Sequence, residues 1–247
     1  MLISREQFVA GIWDSFLKLR QAEQNMGRVC YYPDSQHLSE AINDHHHGCP
    51  FPIAPHDDPD KTAVKWQGQS RIWCYPADYM QRQMDVAIGQ VTRFPVACMG
   101  TMFWFMYNAF KYAGIEQQIS NSDLIQFQTT TVTDSREGVG IAAVQLGFSS
   151  DFHRDVTQAK IGDLVAIRRN GSIHHWCIAF PSVVDLINQG MTPSVYDDVT
   201  TVVNGHTCIG TIGASPEAVG SEGQVGYDYW AHSREEGDRD YVIAPCG

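Results

Sequence analysis

The sequence lacks the features that mark several large classes of proteins. Its longest apolar run, around residues 102–110, contains Tyr107 and Asn108 and is too short to cross a bilayer. Only 17 lysines and arginines stand against 28 acidic residues, a net charge of −11, whereas nucleic-acid-binding surfaces are normally basic. We therefore expect neither a membrane span nor a nucleic-acid partner.

Export and cofactor motifs are also missing. Residues 1–6 contain no basic segment and no uninterrupted apolar stretch, so we expect synthesis in the cytoplasm without a secretory signal peptide. No GxGxxG, GxxxxGK[ST] or GxSxG pattern occurs, which argues against nucleotide binding and serine hydrolysis. The seven cysteines form no CxxC pair, so neither a disulfide framework nor a zinc ribbon is indicated. Reduced and mostly buried thiols are the default interpretation.

The elements that are present predict an α+β fold. Helices come first: one capped by Ser4 and Gln7 and stopped at Gly27, one from Pro76 to about Gln90, an apolar one from Pro95 to Phe110 ending at Gly114, and a short one from Asn121 or Ser122. Strands follow, with a short helix between the first two: strand Gly140–Phe148, helix Ser149/Ser150–Ala159, then strands Asp163–Ile167, Ile173–Phe180, Thr200–Val203, Thr207–Ile212 and Tyr241–Ile243. Asn170-Gly171 predicts a hairpin turn.

Two regions of different texture divide the chain. Residues 28–75 contain repeated prolines and read as an irregular segment wrapped on the body. We expect residues 1–90 to form a helical and irregular extension and residues 91–247 to form the main domain.

Cys98 is the cysteine whose position suggests chemistry. It stands at the start of the predicted apolar helix, where the helix dipole and unpaired backbone N–H groups favour a thiolate. Its own N–H could bind an oxyanion. A buried structural cysteine is the alternative interpretation.

His175 strengthens the catalytic interpretation. It begins the second strand of the Asn-Gly hairpin, and a histidine fixed on a strand beside a helix-terminal cysteine can activate the thiol as a nucleophile. His174 and His175 point to opposite faces, so only one of them can face the helix. The alternative is that both histidines cap the sheet edge.

Three motifs in order resemble the NlpC/P60 and CHAP-type papain-like cysteine amidases and peptidases. They are Cys98-Met99-Gly100 at a helix start, Gly162-Asp163-Leu164-Val165, and His175-Trp176-Cys177-Ile178. The resemblance covers roughly residues 95–215. It implies a papain-like fold in which a buried helix with an N-terminal cysteine packs on an antiparallel sheet. It makes Cys98 the nucleophile and His175, not His174, the base. Ala97 stands where many members have Asp, and the upstream Tyr-x-x-Gly-Gly stretch is not visible.

The residue that would orient His175 is left open by the sequence. Asp185 is the candidate if Pro181-Ser182 turns the chain, and His206 is the candidate if the connection is longer. A plain Cys/His dyad is the third alternative.

A histidine-rich loop is the second cluster of reactive side chains. His45, His46 and His47 adjoin Cys49, with His56 and Asp57 close behind, and these are zinc-type ligands. Three consecutive histidines cannot all face one ion, so we expect adventitious metal binding or a plain solvated loop, and no catalytic metal or other cofactor.

The resemblance implies a substrate and a delivery route. Peptidoglycan would be cut at a stem-peptide bond or at the amide that joins the peptide to the sugar. Without a signal peptide, the protein would reach the target periplasm as an antibacterial toxin of the type VI secretion kind or as a phage-type lysin. An effector would also require secretion machinery and an immunity protein. The alternatives are a papain-like protease, deamidase or acyltransferase toxin acting on proteins, and a non-enzymatic metal-binding or interaction module that uses the histidine-rich loop.

Overall fold

The fold combines helices with an antiparallel sheet. The computed structural model describes residues 3–26, 28–31, 93–96, 98–115, 147–149, 151, 153–169, 172–215, 217–221, 225–231, 239–244 and 246. The helices are α1 (Arg5–Met26), α2 (Cys98–Tyr112) and α3 (Val183–Gln189). The strands are β1 (Arg28–Tyr31), β2 (Arg93–Val96), β3 (Leu164–Arg169), β4 (Ser172–Ala179), β5 (Thr200–Val203), β6 (His206–Ala214), β7 (Val225–Ala231) and β8 (Arg239–Ala244). None of these helices is long and apolar enough to span a membrane.

The main sheet is antiparallel and is built around two hairpins. Its strand order is β5-β6-β4-β3-β8, and β7 also pairs with β6. β3 and β4 form the hairpin predicted from Asn170-Gly171, with Val165 opposite Cys177 and Ile167 opposite His175. A tight turn joins β5 to β6 through Asn204 (φ 52°) and Gly205 (φ 82°), both in the left-handed region that such hairpin turns require. The β3–β4 hairpin confirms the prediction from Asn170-Gly171, and the second turn joins two strands that were both expected.

The first helix begins as its sequence predicts. The backbone N–H of Gln7 donates to Ser4 Oγ, and the backbone N–H of Ser4 donates to Gln7 Oε1, each at 3.2 Å. This reciprocal pair is a capping box, which satisfies two N–H groups at the helix start. Strand β1 follows directly. Residues 28–31, which were expected to be irregular, therefore form a strand.

The apolar helix begins later than expected. Residues 93–96, including Pro95, form β2, which pairs in parallel with β1, and α2 starts at Cys98. A proline lacks an N–H and fits an edge strand, where no ladder bond is lost. The end of the helix is as predicted: the N–H of Gly114 donates to Lys111 O and that of Ile115 to Phe110 O.

The core lies between α1, α2 and the sheet. α2 packs on β4 and β6, and α1 packs on α2. The two helices approach closely at Gly11, where a Cβ would lie 2.5 Å from Ala109 Cα. Apolar side chains of α1 and of the sheet belong to one buried cluster, so α1 is part of the same core. The largest fully buried side chains are Phe8, Ile12, Phe16, Met102, Phe105, Met106, Phe110 and Phe180.

Asp163 joins the two ends of the described chain to the sheet. Its side chain is buried and pairs with Arg5 of α1 at 2.9 Å. The same carboxylate accepts the N–H of Cys246, and Arg5 donates to the backbone oxygens of Ile161 and Cys246. Gly162 has φ +89°, which explains the glycine that precedes this aspartate.

Some expected elements differ or lie outside the described residues. Among the described residues between 149 and 159, the expected helix is replaced by a 3₁₀ turn, Val156–Gln158, and a β-bridge from His153 to Ile243. The Asp155 carboxylate accepts the N–H and the hydroxyl of Thr157 in a local turn that competes with a helix. α3 and β7 were not predicted. The helices expected at Pro76–Gln90 and from Asn121 or Ser122, most of the strand Gly140–Phe148, and the boundary between residues 90 and 91 lie outside the described residues.

Candidate active site

Cys98 is the first residue of α2, and its side chain is partly exposed. The N–H groups of a helix's first turn have no acceptors within the helix, and the dipole gives this end a partial positive charge. α2 as a whole packs on β4 and β6 of the sheet. This position favours negative charge on a sulfur or on an oxygen bound beside it.

His175 lies on β4 and is almost fully buried, with 6% of its surface exposed. Burial lowers the pKa of its imidazole to about 4, because a charged ring loses its hydration there. The ring is therefore neutral near pH 7. A neutral imidazole can accept a proton, which is the first requirement for a general base.

Cys98 lies near Cys177, which shares a face of β4 with His175. Cys177 is two residues from His175 on β4, so the two side chains point to the same side. Burial is the main cause that raises the pKa of Cys177; a hydrogen bond from Thr211 opposes it, and the negative charges of Cys98 and then Asp228 raise it further. This influence shows that Cys98 lies near Cys177, on the strand that carries His175.

Strand β7 adds two residues to this face that sequence reasoning missed. The ring centroids of Trp230 and His175 are 4.7 Å apart. Asp228, two residues before Trp230, accepts a hydrogen bond from Ser215 Oγ at 2.6 Å. Burial raises the pKa of Asp228, and the hydrogen bonds from Ser215 and from the Tyr229 N–H oppose the rise. The alternating aromatic pattern of residues 225–231 was the available sign of a strand.

Asp185 lies on the other face. It is exposed in the first turn of α3, whose N-cap is Ser182, so Pro181-Ser182 starts a helix instead of turning the chain toward His175. Burial and then the charge of Asp185 raise the pKa of Tyr227 to about 12, which shows that Asp185 is near Tyr227. Tyr227 precedes Asp228 on β7 and points to the opposite side. Asp185 and Tyr227 line a cleft of about 480 Å³ on that side.

The remaining candidates are not brought to His175 by the described contacts. His206 is the exposed first residue of β6. The cluster His45–His47 with Cys49, His56 and Asp57 lies outside the described residues. Within the part of the chain that the structure describes, no group of three or more His, Cys, Asp or Glu side chains is placed to hold a metal ion.

Comparisons with protein-family models, with curated proteins and with solved structures find no match to this chain. The papain-like resemblance of its motifs therefore stays a prediction. The chemistry of the site has to follow from the residues that surround Cys98 and His175.

Proposed function

We propose that the protein is a cysteine-dependent amide hydrolase of papain-like, NlpC/P60-type architecture, with Cys98 as nucleophile and His175 as general base. One observation carries the proposal: a thiol at the start of a helix that packs on β4 lies near Cys177, two residues along that strand from a buried, neutral histidine. A nucleophile beside a proton acceptor is the common basis of thiol catalysis.

The proposed reaction proceeds in two halves. His175 takes the thiol proton of Cys98, and the thiolate attacks the amide carbonyl carbon, whose electron pair moves to oxygen. The N–H groups at the start of α2 bind the oxyanion. When the C–N bond breaks, His175 returns the proton to the amine, and a thioester remains on Cys98. Water then gives a proton to His175 and attacks the thioester carbon. The C–S bond breaks, the carboxylic acid leaves, and His175 returns the proton to the Cys98 sulfur.

Asp228, and not Asp185, is the carboxylate that we assign to this site. Asp228 lies on the face that carries His175, and Ser215 fixes its orientation. Asp185 is exposed on the opposite side of β7. The minimal catalytic set in this proposal is the Cys98/His175 dyad.

We propose peptidoglycan as the substrate because of the order of the three motifs. Cleavage would fall at a stem-peptide bond or at the amide between peptide and sugar. In this proposal the protein is an antibacterial toxin that a type VI secretion system delivers to the target periplasm, and the producing cell keeps an immunity protein.

Purified sacculi test both the chemistry and the substrate. Wild-type protein should release fragments whose masses identify the bond, whereas Cys98→Ala and His175→Ala should release none. Cys208→Ala and His206→Ala are matched controls, because Cys208 points to the opposite face and His206 is exposed; both should retain activity. Intact sacculi under the wild-type protein would overturn the peptidoglycan proposal and turn attention to protein substrates.

Thiol labelling tests the nucleophile without a substrate. We expect iodoacetamide at pH 6–7 to modify Cys98 faster than Cys177, whose burial raises its pKa. Peptide mapping by mass spectrometry gives the rate for each cysteine. Equal slow labelling of Cys98 and Cys177 would mean that Cys98 is an ordinary core thiol, as in a non-enzymatic module.

A further inference from the structure

The imidazole of His175 packs against the indole of Trp230. Their ring planes are inclined by 35° with centroids 4.7 Å apart, a separation at which aromatic rings attract each other. The contact joins two strands that are not neighbours, since β6 lies between β4 and β7. We infer that Trp230 is a positioning residue for His175: it fixes the plane of the imidazole on its face of β4 and shields the ring from water.

Strand β7 is itself anchored where it presents Trp230. Trp230 lies opposite Ile209 in the β6–β7 ladder. Two residues earlier, Asp228 accepts a hydrogen bond from Ser215 Oγ at 2.6 Å on its side chain, and one from Thr211 Oγ1 at 3.3 Å on its backbone oxygen. The side chains of Asp228 and Trp230 point to the same face. The backbone that carries the indole is therefore fixed, so the indole can hold the imidazole in place.

Backbone pairing alone does not orient a general base. β4 fixes the Cα of His175 opposite Ile167, but the imidazole can still turn about two side-chain bonds. A base must point one ring nitrogen at the proton that it removes. Contact with a large flat ring excludes many of these rotations. That Trp230 aids catalysis rests on the proposed function. The contact between Trp230 and His175, and its effect on the pKa of His175, do not depend on that function.

The groups around His175 make its titration a direct readout. Among the side chains that the structure describes, the titratable groups at or near this face are Cys98 of α2, Cys177 of β4 and Asp228 of β7. The neighbour on β3, Ile167, is apolar. Burial lowers the pKa of His175, and the indole contributes to that burial. Removing the indole should therefore raise the pKa toward its ordinary value.

The experiment follows the imidazole by NMR across pH in the full-length protein. Trp230→Ala should raise the pKa of His175 by about one or more, roughly a tenfold gain in proton affinity, and should shift the ring proton resonances as the indole ring current is lost. Trp230→Phe should keep most of both effects and, as the milder change, guards against loss of the fold. Tyr229→Ala is the matched control, because its side chain points to the opposite face.

The outcomes separate this inference from the proposed hydrolase activity. An unchanged His175 titration in Trp230→Ala, or an equal change in Tyr229→Ala, would overturn the positioning role. If the titration responds but no substrate is cleaved, the role of Trp230 stands and the hydrolase proposal fails. If the protein does cleave sacculi, we expect kcat to fall about tenfold or more in Trp230→Ala and to recover in Trp230→Phe.

Discussion

Burial of His175 should make the stability of the protein depend on pH in a way that one substitution removes. The folded pKa is about 4, against 6.5 for an exposed histidine. Between these values the unfolded chain binds more protons than the folded one, so the free energy of unfolding rises with pH. The contribution of His175 to the free energy of unfolding is constant above about pH 6.5 and falls as the pH drops to 4. At about 1.4 kcal/mol per pKa unit, the loss is about 2 kcal/mol at pH 5 and about 3 kcal/mol at pH 4.

Denaturant unfolding at pH 7, 6, 5 and 4, followed by circular dichroism, measures this loss. Glutamine at position 175 cannot gain the proton. The free energy of unfolding of the wild type, relative to that of His175→Gln, should therefore fall by about 3 kcal/mol from pH 7 to pH 4. His206→Gln removes an exposed histidine and should follow the wild type. Asp228 titrates in both proteins and cancels in the difference. Parallel losses in wild type and His175→Gln would refute the argument that burial keeps His175 neutral.

Two further predictions concern the framework around the site. Asp163→Ala should lower the free energy of unfolding by about 3–5 kcal/mol, because it leaves the mostly buried Arg5 without its carboxylate. The control, Asp14→Ala on the exposed face of α1, should lower it by less than about 1 kcal/mol. Urea unfolding midpoints of the two variants test the difference. Gly11→Ala should cost about 1–3 kcal/mol, since the added Cβ meets Ala109 Cα, and an unchanged thermal midpoint would contradict this close approach.

The parts of the fold that the sequence predicted well are those set by neighbouring residues. The capping box needs only residues four and seven, and the hairpin of β3 and β4 was predicted from the pair Asn170-Gly171. Both predictions are confirmed. The start of α2 was misplaced for the opposite reason: Pro95 suits a first helical turn, but β1, more than sixty residues earlier, pairs with residues 93–96 as a strand.

The surroundings of His175 depend on such distant pairings. The sequence offered Asp185 because it lies a short distance beyond the histidine strand, but Ser182 caps a helix there and leaves the carboxylate exposed. Trp230 and Asp228 reach the face of His175 only because β7 pairs with β6 and β6 pairs with β4. The sequence of each strand does not indicate which other strand it will pair with. A strand's alternation shows which residues share a face, but not which strand lies beside it.

The Gly162-Asp163 motif illustrates how one residue pair can support a site without taking part in its chemistry. Gly162 takes a left-handed turn, and its N–H donates to Ala179 O at the end of β4. Asp163 then holds Arg5 of α1 and the N–H of Cys246 while β3 starts beside β4. The hairpin that carries His175 is thereby tied to the helix that packs on α2, the helix that begins at Cys98. In the proposed site, Asp163 would thus help to hold the hairpin that carries His175 and, through α1, the helix that begins at Cys98.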